Sequence, residues 1–308
     1  MPHPPFNTLY RNFTTQAEID AQYNAGASVP DAAACRERYA DQAQRAREKL
    51  PCTLDVPYGA TLDETLDIFP AAEPNAPVWV FIHGGYWRAL SSKDFSGVAL
   101  GPQALGFTTV VVNYSLCPLV TIDEIVRQVR ASIAWVVRSI ANHHGDPARI
   151  VLGGHSAGGH LTAMALQTPW AERYGLPANP IAAAVLVSGI YDLHPLRYSY
   201  LQPAIQLDDG VIQRNSPGLN VRANSTPLLM TWGAQESAEF TRQSTDFHDG
   251  WVASGGRSEL LAQASANHFS AVHGFEDAAS PLCQWMARAV GQNLTGYLAG
   301  YLTGYPTD

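Results

Sequence analysis

Gly154-His155-Ser156-Ala157-Gly158 is a G-x-S-x-G pentapeptide. The string alone is a weak signal, but its surroundings sharpen it. The apolar run Arg149 to Leu152 reads as a strand and His160 to Gln167 as a helix. A strand, a tight turn and a helix form the setting in which a serine hydroxyl is held out on a strained bend. Flanking glycines permit the close backbone approach that such a bend needs. Ser156 is therefore the expected nucleophile. A hydroxyl keeps its proton at neutral pH, so a base must take it. On this design the chain order is Ser, then Asp or Glu, then His. His268 lies in the short segment Ala266-Asn267-His268-Phe269 after the apolar run Glu259 to Ala262, and is the expected base, with His273 the substitute. The acid should follow the run Leu228 to Trp232: Glu236 is expected there, with Glu239 and Asp192 as alternatives. Its role would be to accept the Nδ1–H of His268 and steady the imidazolium. His155 and His160 flank the serine, but no H-E-x-x-H spacing or third ligand accompanies them, so no metal site is expected.

A second motif, His83-Gly84-Gly85-Tyr86-Trp87, follows the strand-like run Val78 to Ile82. Two glycines there let backbone N–H groups face a cavity without a Cβ in the way. The tetrahedral intermediate of acyl transfer carries an oxyanion that needs two or three such donors. Gly84 or Gly85, with Tyr86 close by, and the N–H of Ala157 are the expected donors. Tyr86 and Trp87 are candidates for an aromatic wall beside the substrate, core packing being the alternative for Trp87.

These groups are far apart in the chain, so a scaffold must gather them. Short apolar runs at residues 78–82, 108–112, 149–152, 182–187, 228–232 and 259–262 alternate with helical patterns, the clearest being Ile122, Ile125, Val126, Val129, Ile133 and Val136. Such alternation implies an α/β fold with a mostly parallel sheet and helices on both faces. Leu54 to Tyr58 and Thr65 to Phe69 read as an edge hairpin, because Pro57 argues against a central strand. The expected organisation is a helical N-terminal cap over residues 1–50, one α/β domain over 51–290, and a tail over 291–308. Thr15-Gln16-Ala17-Glu18 has the form of a capping box, and Asp31 to Leu50 has helical composition with a weak apolar stripe. This first segment is expected to be peripheral. Residues 191–219 interrupt the strand–helix rhythm and are expected either to roof a site or to form a surface excursion. Leu294, Leu298 and Leu302 each open a Leu-x-Gly-Tyr tetrad. A loose tail is the plain expectation for them; a contact between subunits through the tyrosines, making a homo-oligomer, is the sharper one.

Composition narrows the partners. The chain has 308 residues, of which 46% are apolar, enough for a real core, and only 15% are charged, against roughly 25% in average soluble domains. The net charge is −8, and Lys49 and Lys93 are the two lysines. No basic stripe exists to grip phosphates, so a nucleic-acid partner is not expected. No run approaches the ~18 apolar residues of a membrane span. The start of the chain lacks the pattern of a secretory signal, and Cys35, Cys52, Cys117 and Cys283 are scattered like free thiols, so a cytoplasmic setting is expected.

The segments His83 to Arg88, Gly154 to His160 and Glu236 to Ser244 together resemble the serine-dependent kynurenine formamidase (arylformamidase) family of the α/β-hydrolases, near the hormone-sensitive-lipase-like esterases. Asn113 to Pro118 and Ser188 to Leu193 are weaker echoes, and the likeness runs from about Tyr10 to Ala289. The resemblance implies an α/β-hydrolase fold, Ser156 as nucleophile, His268 as base, the His83-Gly84-Gly85 backbone as oxyanion site, and no cofactor. Eukaryotic members commonly carry Asp where this chain has Glu236, a longer carboxylate that can still serve. The expected reaction is removal of a small acyl group, formyl above all, from an aryl amide such as N-formyl-kynurenine. A broad short-chain carboxylesterase, or an amidase for another catabolic or foreign amide, is the alternative. A silent binding protein on the same fold is disfavoured by the complete set of Ser, acid, His and oxyanion donors. For the amino-acid end of such a substrate, Arg88, Asp192 and Arg197 are the candidate partners.

Overall fold

The computed structural model describes residues 8–292. Its centre is an eight-stranded sheet built from β1 (Thr53–Pro57), β2 (Thr65–Phe69), β3 (Ala76–Ile82), β4 (Thr108–Val112), β5 (Gly145–His155), β6 (Ala183–Val187), β7 (Leu228–Gly233) and β8 (Ser258–Gln263). The spatial order is β1-β2-β4-β3-β5-β6-β7-β8. β1 and β2 are antiparallel to their neighbours, and the strands from β4 through β8 run parallel. This is the α/β-hydrolase arrangement.

Periodicity explains the layering. Successive strand side chains point to opposite faces, so Val78, Val80 and Ile82 of β3 enter one apolar layer while Trp79 and Phe81 enter the other. Helices cover both faces, which is why β3, β4, β6 and β7 are buried throughout. The edge strands β1 and β8 are largely exposed. The helix Ile122–Ser139 starts at an N-cap, Thr121, whose hydroxyl accepts from Glu124 N–H, and it buries Ile125, Val129, Ile133 and Val136. Truncating Ile133 to Ala there would cost about 2–5 kcal/mol. No helix among the described residues is long and apolar enough to cross a membrane.

The N-terminal segment departs from expectation. Its helices Gln16–Tyr23 and Ala32–Lys49 form, and the capping box at Thr15 and Glu18 is complete. The segment is not peripheral, however: Ile19 and Tyr23 are fused to one apolar layer, and Tyr39 and Ala46 to the other. The buried stripe of the longer helix is Ala32, Cys35, Tyr39, Ala43 and Ala46. Such small side chains bring a helix close to the body while barely registering as an apolar stripe.

In a parallel sheet the carboxyl ends of the strands open on one edge, where ligands bind. The turns after β3, β5, β6 and β7 and the loop after β8 therefore meet there. The four cysteines are free. The tetrads of residues 294–305, with their proposed tail and subunit contact, lie outside the described residues.

Candidate active site

Ser156 sits between the end of β5 and the helix Ala157–Leu166 at φ 57° and ψ −118°. A non-glycine residue at positive φ is strained, and the surrounding contacts hold it. Ser156 N–H donates to Val187 O (2.8 Å), and His160 N–H donates to Ser156 O (3.1 Å). Gly158 explains the spacing of the pentapeptide: a Cβ there would lie 1.9 Å from Ile82 O, so only glycine lets the helix start against β3. The Ala157 N–H is the first of this helix, and it has no acceptor within the helix.

Three side chains from distant segments line up at this turn. His268 Nε2 lies 3.1 Å from Ser156 Oγ, and His268 Nδ1 lies 2.7 Å from Glu236 Oε2. With Nδ1–H donating to the carboxylate, Nε2 carries the lone pair that accepts the Ser156 hydroxyl proton. Ser156 and His268 are 3% and 5% exposed, so the pair works largely away from water. Glu236 is held by its other oxygen, which accepts from Ser188 Oγ–H and from Gly233 N–H, both at 2.6 Å. The His268 loop is anchored in turn: His155 Nε2–H donates to His268 O (2.7 Å), and Tyr39 O–H donates to Phe269 O (2.5 Å). Burial keeps His155 well below the usual histidine range, so it stays neutral and makes this bond as a donor.

The alternatives weighed from sequence fall elsewhere. Glu239 pairs with Arg242 and accepts from Tyr23 O–H. Asp192 accepts from Tyr10 O–H and faces His194. His273 packs edge-on against Tyr39, with burial pushing it down to about 4. Both ring nitrogens of His160 are engaged: its Nε2–H donates to Asn215 O and its Nδ1 accepts from Trp87 Nε1–H.

The His83-Gly84-Gly85 turn presses on the elbow. A Cβ on Gly84 would meet His155 O at 2.9 Å and Ser156 Cβ at 3.2 Å, while Gly85, at φ 103°, lines the cavity over Ser156. The turn's carbonyls are tied back: His83 Nδ1–H donates to Gly84 O, and Tyr114 O–H donates to His83 O. His83 stacks on Tyr114 with ring centroids 4.1 Å apart, and burial pushes its pKa down to about 4. Both carbonyls are thus engaged within the protein. This supporting pair was not singled out from sequence, although Tyr114 lies in the echo Asn113 to Pro118; Ser188 likewise lies in the echo Ser188 to Leu193.

The cavity over Ser156 has a volume of about 250 Å³. Tyr86 lines it, as expected, but Trp87 does not. Trp87 is fully buried in the core against His160, while Tyr86, at positive φ like Trp87, meets it edge-on with ring centroids 6.2 Å apart and alone of the two reaches the cavity. Of the three candidates for the amino-acid end, Arg88 lines the cavity, whereas Asp192 is engaged as above and Arg197 pairs with Asp209. Sequence reasoning offered residues 191–219 as a roof but missed the share of the N-terminal segment. Asn24, Ala25, Arg36 and Tyr39 of the N-terminal segment and Tyr200 of the 191–219 region close over the cavity. The roof is clamped to the helix Ala238–Ala253: Tyr23 O–H donates to Glu239 (2.7 Å), Ser237 O–H donates to Gln22 O (2.5 Å), and Tyr86 O–H donates to Tyr23 O.

With this geometry in place, comparison with known proteins is informative. The BD-FAE family model matches residues 66–250. The kynurenine formamidase of Danio rerio is 32% identical over 257 residues, 81% of this chain and 86% of that protein. Esterase LipQ of Mycobacterium tuberculosis is 27% identical over 94% of this chain and 71% of its own length. A solved structure from Silicibacter sp. TM1040 aligns with a TM-score of 0.79 at 27% identity, covering 88% of this chain and 99% of that one. An esterase of Pyrobaculum calidifontis, at 15% identity, shares the fold with a TM-score of 0.66, over 83% of this chain and 92% of that one.

Proposed function

The chain belongs to the serine-dependent kynurenine formamidase family of the α/β-hydrolases and is a serine hydrolase of the formamidase and esterase type, and on that premise we propose that it removes a formyl group from an aryl amide such as N-formyl-kynurenine through an acyl-enzyme. Ser156 Oγ attacks the formyl carbon while its proton passes to His268 Nε2. The oxyanion is held by the N–H groups of Gly84 or Gly85 and of Ala157. Glu236 steadies the imidazolium, and His268 then gives its proton to the departing arylamine nitrogen, which leaves as the neutral amine. Water, deprotonated by His268, attacks the formyl-enzyme; formate leaves and Ser156 regains its proton. Tyr86, Tyr200 and Phe269 supply aromatic surface for the aryl ring.

The observation that carries this reading is the unbroken Ser156–His268–Glu236 line beneath a cavity of about 250 Å³, smaller than the ~300–1,000 Å³ typical of drug-sized ligands. A small acyl group on a single-ring leaving group suits that size. The second reading, a short-chain carboxylesterase, is favoured by the similarity to LipQ and uses the same groups. The deciding measurement is kcat/KM for N-formyl-kynurenine set against p-nitrophenyl acetate and larger aryl amides. The formamide should match or exceed the ester once intrinsic reactivity is allowed for. A preference for the ester by several orders of magnitude overturns the formamidase reading.

A further inference from the structure

The residues lining the cavity over Ser156 include two arginines, Arg36 and Arg88, and no Asp or Glu. Arg36 projects from the helix Ala32–Lys49 and Arg88 from the turn that follows Gly85, so they approach from the roof and from the floor. Both are exposed at the rim. The arginine ion pairs of the described residues engage Arg38, Arg127, Arg149, Arg197, Arg214 and Arg242, and neither rim arginine is among them. Arg88 is not loose, however: its guanidinium lies over the Tyr200 ring, 5.6 Å from the centroid, and Tyr200 N–H is anchored on Asp20 (2.8 Å). Of the nearby carboxylates, Glu236 has its side chain fully buried behind His268 with both oxygens engaged, and Asp20 lies behind Tyr200, its oxygens accepting from Tyr200 N–H and the Gln16 amide, outside the cavity lining.

A guanidinium is a fork of N–H donors matched to a carboxylate. Two of them at one mouth, unpaired with protein acids, attract an anion and repel a cation. Resting on the formamidase reading above, we propose that this enzyme selects aryl formamides whose side arm carries a carboxylate held by Arg36 and Arg88, and that it makes no provision for an ammonium group. An amino-acid arm brings its ammonium into the same positive field, so a simple carboxylate arm is the better substrate.

The test is a series of 2-formamidophenyl ketones that differ only in the end of the side arm: carboxylate, amino acid, methyl or ammonium. The expected order of kcat/KM is carboxylate, amino acid, methyl, ammonium, with about a tenfold or larger gap between carboxylate and methyl, carried mainly by KM. Raising the salt from ~0.02 to ~0.3 M narrows that gap, since exposed charges are screened. In the Arg36→Gln, Arg88→Gln double variant the carboxylate-to-methyl ratio falls to within about threefold, and Arg88→Glu raises the ammonium substrate relative to the carboxylate one. Equal rates for carboxylate and methyl arms in the parent enzyme, or a preference that survives the double variant, overturns the proposal. The two readings fail differently. Turnover of all four ketones at one rate removes only the carboxylate selection, whereas cleavage of phenyl acetate with no turnover of any ketone removes the formamidase reading as well.

Discussion

The floor and the roof of the cavity are built by different physics. The floor is backbone: strand ends fix Ser156 and His268, and Gly158 and Gly84 sit where a methyl group would collide with a neighbouring chain. The roof is side chain: Tyr23, Tyr39 and Ser237 reach across by hydrogen bonds to join the N-terminal helices to the body. Backbone geometry locks a reacting constellation, while side-chain clamps can be retuned without disturbing it. Changes in the floor should therefore act on kcat, and changes in the roof chiefly on KM.

The sharpest way to break that division is within the floor. His268→Ala should lower kcat by about 10³–10⁶ in steady-state assays, the scale seen when a member of such a unit is removed, with the circular dichroism spectrum unchanged. Glu236→Gln keeps the shape but loses the charge, and a drop in kcat of about 10²–10⁴ with little change in KM is expected. Were Glu239→Gln to cost as much as Glu236→Gln, the division would be wrong, since Glu239 belongs to the roof clamp.

The contrast also accounts for what could be read from the chain. The floor was legible because glycine spacing and strand–turn–helix order are local: Ser156, Gly85 and the motif at His83 each declare themselves within five residues. Glu236 and His268 needed the chain order of such sites, and the structure joins them. The roof was legible only in part: residues 191–219 were one expectation for it, and the N-terminal share was not. Its contacts pair Tyr23 with Glu239 and Tyr39 with Phe269, more than two hundred residues apart, and no local pattern encodes them. Alanines facing the body likewise left only a weak apolar stripe in the helix Ala32–Lys49. Trp87 misled because adjacency to Tyr86 suggested a shared wall, whereas Trp87 lies behind Tyr86, edge-on to its ring and fully buried, and only Tyr86 faces the cavity.

Smaller effects sharpen the comparison. Tyr39→Phe removes the bond to Phe269 O, and a rise in KM of about threefold to tenfold with a lesser change in kcat is expected from substrate titrations. Acid should loosen the roof clamp specifically. Burial alone would raise Glu239, but hydrogen bonds from Arg242 and Tyr23 outweigh it and hold the carboxyl below its usual range. The stability it contributes is present above its ordinary value near 4.3 and is lost as pH falls through the lower folded value. Limited proteolysis should accordingly cut near residues 24–31 faster at pH 3.5 than at pH 5.5, and Glu239→Gln should remove that difference. The floor should answer over a higher window. Burial pushes His83 and His160 down to about 4, whereas in the unfolded chain they take protons near 6.5. Their contribution is complete above 6.5 and drains as pH falls toward 4, by up to about 1.4 kcal/mol per pH unit for each. Urea unfolding at pH 7 and pH 5 should show a clear loss of midpoint at the lower value.

The most direct measurement on the central claim is mass spectrometry of the enzyme after treatment with an organophosphate, read beside residual activity. One adduct per chain, mapped to Ser156, forming in step with loss of formamide and ester hydrolysis, and absent in Ser156→Ala, is the predicted result. Full activity in a chain already modified at Ser156, or in Ser156→Ala itself, would contradict it.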